Sequence, residues 1–397
     1  HDVCLHVLGG SLYYLARFEE AKPHLERHYK LYVEDASKKT KNRVASSYFY
    51  SANPSRLSQF EVSRDRLTKF LADFPKASDN LFMPLALYDL ANCEYSLGEY
   101  EKALVSLRRV EQEFQGSSNM QQVLVLKGSV LDGLKEPEKA VESYLKGLEL
   151  AKSRQDDFVA SEALYNLIRI LGEERKDGDT EELKKAIPYY DEFFADYPSS
   201  PFRPQAAVAG VPAMAAVGRL DEALELLQKV IVELGKSKQG GLVMLERALN
   251  SYTEAYLLDH NPDELREHYF NFPGVNIEDT ELRALLSISV IGVYEGILEE
   301  ARSAKDDGKV VAGEAAVKVQ FERLRRDFEP SQMTNYVAVR LGDYLRVKTS
   351  NPRESLAYYE RILTNPNDED FREEARFGKA DVLGRSENRS ENSEALR

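Results

Sequence analysis

Residues 82–114 read FMPLALYDLANCEYSLGEYEKALVSLRRVEQEF. Apolar residues recur at helical spacing on both sides of the break Leu97-Gly98-Glu99-Tyr100. Two helices joined by so short a turn lie antiparallel, and each keeps an apolar face that its partner does not cover. Such a unit is stable only against neighbours of the same kind, which restricts the chain to an array of stacked helix pairs.

Ala103 serves as a marker of the second helix, a small residue followed four positions later by a large apolar one. The same pattern recurs at Ala21, Ser63, Ala140, Ala186, Ala223, Leu265, Val317 and Ser355, at intervals of roughly 37 to 52 residues, the range of helical repeats. The resulting units are 1–32, 44–75, 82–115, 121–151, 158–198, 204–235, 240–273, 281–329 and 335–364, followed by a partial helix at 370–383 and a polar tail at 384–397. Ser37 to Thr40 reads as a linker. Pro212 predicts a kink or a late start for the first helix of its unit, and the stretch 281–329 predicts two long helices. About nineteen helices and essentially no strand are expected.

Composition bears mainly on what the array does not do. Against 53 Lys and Arg stand 67 Asp and Glu, a formal net charge of -14, the wrong sign for tracking a phosphate backbone, so nucleic acid is not an expected partner. Cys4 and Cys93 are too few for a disulfide framework and leave the compartment open. No run approaches the roughly twenty apolar residues of a membrane span, so membrane association is expected only through partners in a larger complex. The chain begins at His1 almost directly on a helical pattern, which is expected of a mature form or of a piece of a longer protein.

Leu90-Ala91, Gly98, Tyr100, Ala103 and Leu107 stand where the tetratricopeptide repeat places its packing residues, and the helix pair resembles that family. Gly98 permits a turn conformation expected to be closed to other residues, and Ala103 lets two helices approach closely. Units 82–115 and 204–235 are the better copies. The sequence departs from the family in its longer intervals, in having no Trp, and in carrying Leu87, Leu164 or Leu249 where a large aromatic is usual. The resemblance implies an all-α, right-handed superhelical solenoid whose first helices line a concave face.

On that implied face, Leu85, Tyr88, Asn92 and Tyr95 form one helical stripe, with Glu162, Tyr165 and Arg169 as counterparts two units on. Tyrosine offers a broad contact surface with a polar tip, so this Tyr-lined groove is expected to bind a protein or peptide. Equally, the tyrosines fill space between repeats, as most aromatics at helical spacing do. Asn92 fits one place of the carboxylate clamp found in some members of the family, but Tyr88 and Leu85 occupy the others, and that ligand is set aside. The helix ends Phe74-Pro75 and Tyr197-Pro198-Ser199-Ser200 are similar to those of bacterial envelope members, which implies a periplasmic or cell-envelope location, with the cytoplasm as the alternative.

Other motifs read as structural. His24 and His28, four apart, are expected on a solvated helix face rather than on a metal. Asp177-Gly178-Asp179-Thr180-Glu181 lacks the spacing and closing Glu of a calcium loop. Asp306-Asp307-Gly308-Lys309 lacks the glycine spacing of a phosphate loop, and no nucleophile motif is present. A non-enzymatic interaction scaffold without cofactor or metal is the leading expectation. A peptide-sensing regulatory module is the first alternative, and an all-α carbohydrate-active enzyme, which would want Trp platforms for sugars, is the second.

Overall fold

The structure is a computed structural model that describes residues 2–34, 40–75, 81–173, 180–237, 242–258, 260–364 and 370–385. The described residues form twenty α-helices with short 3-10 and π turns, and no strand occurs among them. The chain divides into two compact units, His1–Ala216 and Val217–Arg397.

Unit 1 holds α1 (Asp2–Tyr14), α2 (Phe18–His28), α3 (Arg43–Ala52), α4 (Phe60–Asp73), α5 (Met83–Ser96), α6 (Tyr100–Glu113), α7 (Met120–Gly133), α8 (Pro137–Ser153), α9 (Asp157–Leu171), α10 (Thr180–Leu183), α11 (Ile187–Asp196) and α12 (Arg203–Ala216). Unit 2 holds α13 (Leu220–Lys236), α14 (Leu242–Tyr256), α15 (Pro262–Phe270), α16 (Thr280–Ser303), α17 (Asp307–Asp327), α18 (Asn335–Lys348), α19 (Leu356–Thr364) and α20 (Arg372–Gly384). Within each unit the principal contacts join helices no more than three apart in the chain, the arrangement of an α-solenoid.

Every marker is buried: Ala21, Ser63, Ala103, Ala140, Ala186, Ala223, Leu265 and Ser355 are fully shielded and Val317 nearly so. The residues four positions on, among them Leu25, Leu67, Leu107, Tyr144, Leu227, Tyr269 and Tyr359, are buried as well. One apolar stripe on each second helix therefore carries the packing. At three of the four places where that second residue is Tyr, the facing helix carries Gly: a Cβ on Gly128, Gly210 or Gly342 would meet the ring of Tyr144, Tyr190 or Tyr359, whereas Tyr269 packs on Tyr252 and Phe272. At α17, Gly313 lies close against α16: a Cβ there would stand 3.3 Å from the Leu298 Cα. Helices of this length cross once, and the glycine fixes where.

Six of the turns between paired helices share one conformation. Ala16, Ser58, Gly98 and Lys135 in unit 1, and Gly218 and Lys305 in unit 2, all have φ between 55° and 75°. After α5, Gly98 N–H donates to the Tyr95 carbonyl and Glu99 N–H to the Glu94 carbonyl. After α7, Lys135 and Glu136 repeat the pattern onto Asp132 and Leu131. This pair of hydrogen bonds closes the helix end and holds even non-glycine residues in the left-handed region, so the turn is not closed to other residues as the sequence implied.

Two further expectations change. α12 starts at Arg203 and continues through Pro212, so its start is not late. His28 is not solvated: its ring is fully buried and bonds the Asp2 carboxylate at 2.5 Å, while His24 is half-buried. Asp2 supplies a partner from α1 for Nε2, which offsets part of the cost of burying the ring, while Nδ1 has no partner among the described residues. Residues 37–39, 177–179 and 386–397, where the linker, the acidic stretch and the tail were placed, lie outside the described residues.

Candidate functional site

In α5 the core-facing residues Ala86, Leu87, Leu90, Ala91 and Cys93 are buried, which leaves Leu85, Tyr88, Asn92 and Tyr95 half-buried along one stripe. In α9 the same division leaves Glu162, Tyr165 and Arg169 half-buried between buried neighbours. The two stripes are electrostatic neighbours: the charge of Glu162 bears on the Tyr88 phenol, and Arg169 and Tyr165 bear on that of Tyr95. The seven residues do not contribute alike. Leu85 packs against the core cluster around Tyr48 and Phe49, and the Asn92 side chain makes no hydrogen bond among the described residues.

Between the two helices lies α7, whose part in the site sequence reasoning missed. Asp132 accepts a hydrogen bond from Arg169 at 2.6 Å, and both side chains are largely covered. The signal was present, because the interval from Ala103 to Ala140, carried from Tyr95, lands on Asp132. Beyond Arg169 the stripe is aromatic. Tyr165 stacks on Phe202 with ring centroids 5.8 Å apart and planes within 5°, and Phe158 meets the same Phe202 ring at 5.4 Å.

A buried ion pair lies next to Tyr88. Arg56 donates to Asp89 Oδ1 at 2.8 Å, and the Tyr48 hydroxyl donates to Oδ2 at 2.7 Å. Arg56 also reaches the Tyr13 hydroxyl at 3.3 Å. Asp89 is almost wholly buried, and desolvation pushes its carboxyl up against the opposing pull of Arg56 and Tyr48. The Asp89 charge holds the Arg56 guanidinium well above its ordinary value. The sequence placed Asp89 beside Tyr88 but gave no sign of its partners, which stand 33 and 41 positions away.

Glu162 differs from these acids. Burial and the nearby Asp156 push its carboxyl up to about 7, and among the described residues no cation pairs with it. Asp156 is itself engaged, capping α9 through Val159 N–H and accepting from Gln121 Nε2 at 2.9 Å.

Well-formed cavities occur in unit 2. One of about 560 Å³ lies between α14 and α16, lined by Leu245, Leu249, Ile288, Gly292 and Tyr336, whose phenol bonds Glu246 and is pushed up to about 12 by burial. None of these cavities is lined by the α5–α9 stripe, whose residues are partly buried between packed neighbours. Among the described residues no group of His, Cys, Asp and Glu has the arrangement to hold a metal, and no helix is long and apolar enough to cross a membrane.

Two segments match the tetratricopeptide repeat, residues 85–117 and residues 121–154, which together take in α5 to α8. No curated protein matches the chain. Among solved structures, yeast Tom70 aligns at 13% identity over 99% of this chain and 82% of its own, with a TM-score of 0.26. A chain from the structure of Naa15/Naa10 bound to HypK-THB aligns at 15% identity over 97% of this chain and 63% of its own, with a TM-score of 0.29.

Proposed function

We propose that the chain is a non-enzymatic interaction scaffold that binds a protein or peptide partner along the stripe of α5, α7 and α9. The observation that carries this reading is the pattern of exposure. Tyr88, Tyr95 and Tyr165 stay partly accessible on helices whose other faces are packed, and the Asp132–Arg169 pair, itself largely covered, ties neighbouring helices together. Tyrosines and arginine are the residues that interfaces concentrate. The two tetratricopeptide matches, which overlap α5 and α7, support the same reading.

The test is capture of partners from the native organism by the purified chain, compared with Tyr88→Ala and Tyr165→Ala variants that keep their helical circular dichroism. Loss of the same bound protein from both variants is expected. Retention at full strength by both would place binding elsewhere on the chain. The envelope location belongs with this proposal, resting on the Phe74-Pro75 and Tyr197-Pro198 helix ends. Cell fractionation with immunodetection decides it, and recovery in the cytosolic fraction alone overturns it.

A further inference from the structure

We infer that Glu162 and the aromatic rings around it form a subsite for a basic side chain, an arginine or lysine, of an extended peptide segment. This rests on the interaction reading above and gives it a ligand chemistry.

The geometry comes from three elements. On α9, Phe158, Glu162 and Tyr165 follow one another at four- and three-residue steps, so they share a face. Phe202, immediately before α12, contacts both Phe158 and Tyr165, which spreads an aromatic surface alongside the Glu162 position. From α5, Tyr88 lies close enough to feel the Glu162 charge. Glu162 therefore shares its helix face with Phe158 and Tyr165, whose rings are joined by Phe202, and Phe158 is 57% exposed.

Charge decides what fits there. The cations that bear on Tyr88 and Tyr95 already have acids: Arg169 pairs with Asp132 and Arg56 with Asp89. Glu162 is left without a cation among the described residues, and no Arg or Lys stands over the Phe158, Tyr165 or Phe202 rings among them. A half-buried carboxylate beside ring faces attracts a cation twice, by charge-assisted hydrogen bonding and by the ring quadrupole. A carboxylate-bearing ligand would be repelled by the same group. The net charge of -14 favours approach of a basic segment.

The probe is a fluorescein-labelled Gly-Ser-Arg repeat peptide, with a second peptide in which citrulline replaces arginine, both followed by fluorescence anisotropy in physiological salt. Glu162→Gln keeps the shape and removes the charge, and Glu149→Gln removes an exposed charge on α8 as the control for general electrostatics. The arginine peptide is expected to bind the wild-type chain more tightly than the citrulline peptide. Glu162→Gln should weaken it about tenfold or more, the size of one charge-assisted contact, while Glu149→Gln leaves it nearly unchanged. No preference for arginine over citrulline, no change in Glu162→Gln, or an equal loss in both variants overturns the subsite. Partner capture separates the two readings: if Tyr88→Ala loses the native partner while Glu162→Gln retains it, the face stands and the basic subsite falls. If neither variant loses it, the face itself is wrong.

Discussion

A Cβ added to Gly128 would lie 2.5 Å from Cδ1 of Tyr144, so the α7–α8 contact exists only because one partner has no side chain. In the preceding pair the corresponding positions hold Ala91 and Leu107, both fully buried. Gly128→Ala is expected to destabilise the chain by about 1–3 kcal/mol through overpacking. Adding Tyr144→Leu should recover much of that loss. Urea denaturation of the two variants measures both, and equal midpoints for Gly128→Ala and wild type would contradict the assignment.

Asp89 and Arg56 illustrate the opposite economy, a buried charge kept because its partner is present. Asp89→Ala strands the guanidinium and is expected to cost roughly 3–5 kcal/mol. Replacing both residues, as Arg56→Met with Asp89→Leu, should cost less than the sum of the single changes. A double-mutant cycle by chemical denaturation gives the coupling, and strict additivity would mean the pair is not acting as one.

Glu162 makes stability fall with rising pH. Its carboxyl ionises around 4.5 when solvated but only near 7 in the fold, so between these values the folded chain holds a proton that the unfolded chain has released. Unfolding therefore becomes easier as pH climbs through that window, and the full penalty is present above pH 7. Glu162→Gln should raise stability by roughly 1–3 kcal/mol at pH 8, after allowance for its partial exposure, and change it little at pH 4. Thermal melts at the two pH values read this directly, and a larger gain at pH 4 would reverse the sign.

The left-handed turn positions predict a pair of opposite effects. Lys135, at φ 61°, occupies a conformation that costs a side-chain-bearing residue about 1 kcal/mol, so Lys135→Gly is expected to stabilise by up to that amount. Gly98→Ala, at φ 75° with open space around it, should lose a similar amount from strain alone. Matched melting curves would show shifts of opposite direction.

The repeat was legible because it is written locally. A small residue with a large apolar one four positions on needs only its own helix to be recognised, and all nine markers proved to be buried. What was not legible depends on partners that sequence spacing does not announce. His28 looks solvated until Asp2 is brought to it, and nothing near Asp89 in the chain announces Arg56 and Tyr48, which arrive from other elements.

Contacts confined to helices close in the chain also govern how the protein comes into being. Within each unit a helix finds its partners among segments made shortly before or after it, so little of the chain must be closed into large loops before the first pairs gain stability. Helix pairs can dock in order as they leave the ribosome, each new one using its predecessor as a template.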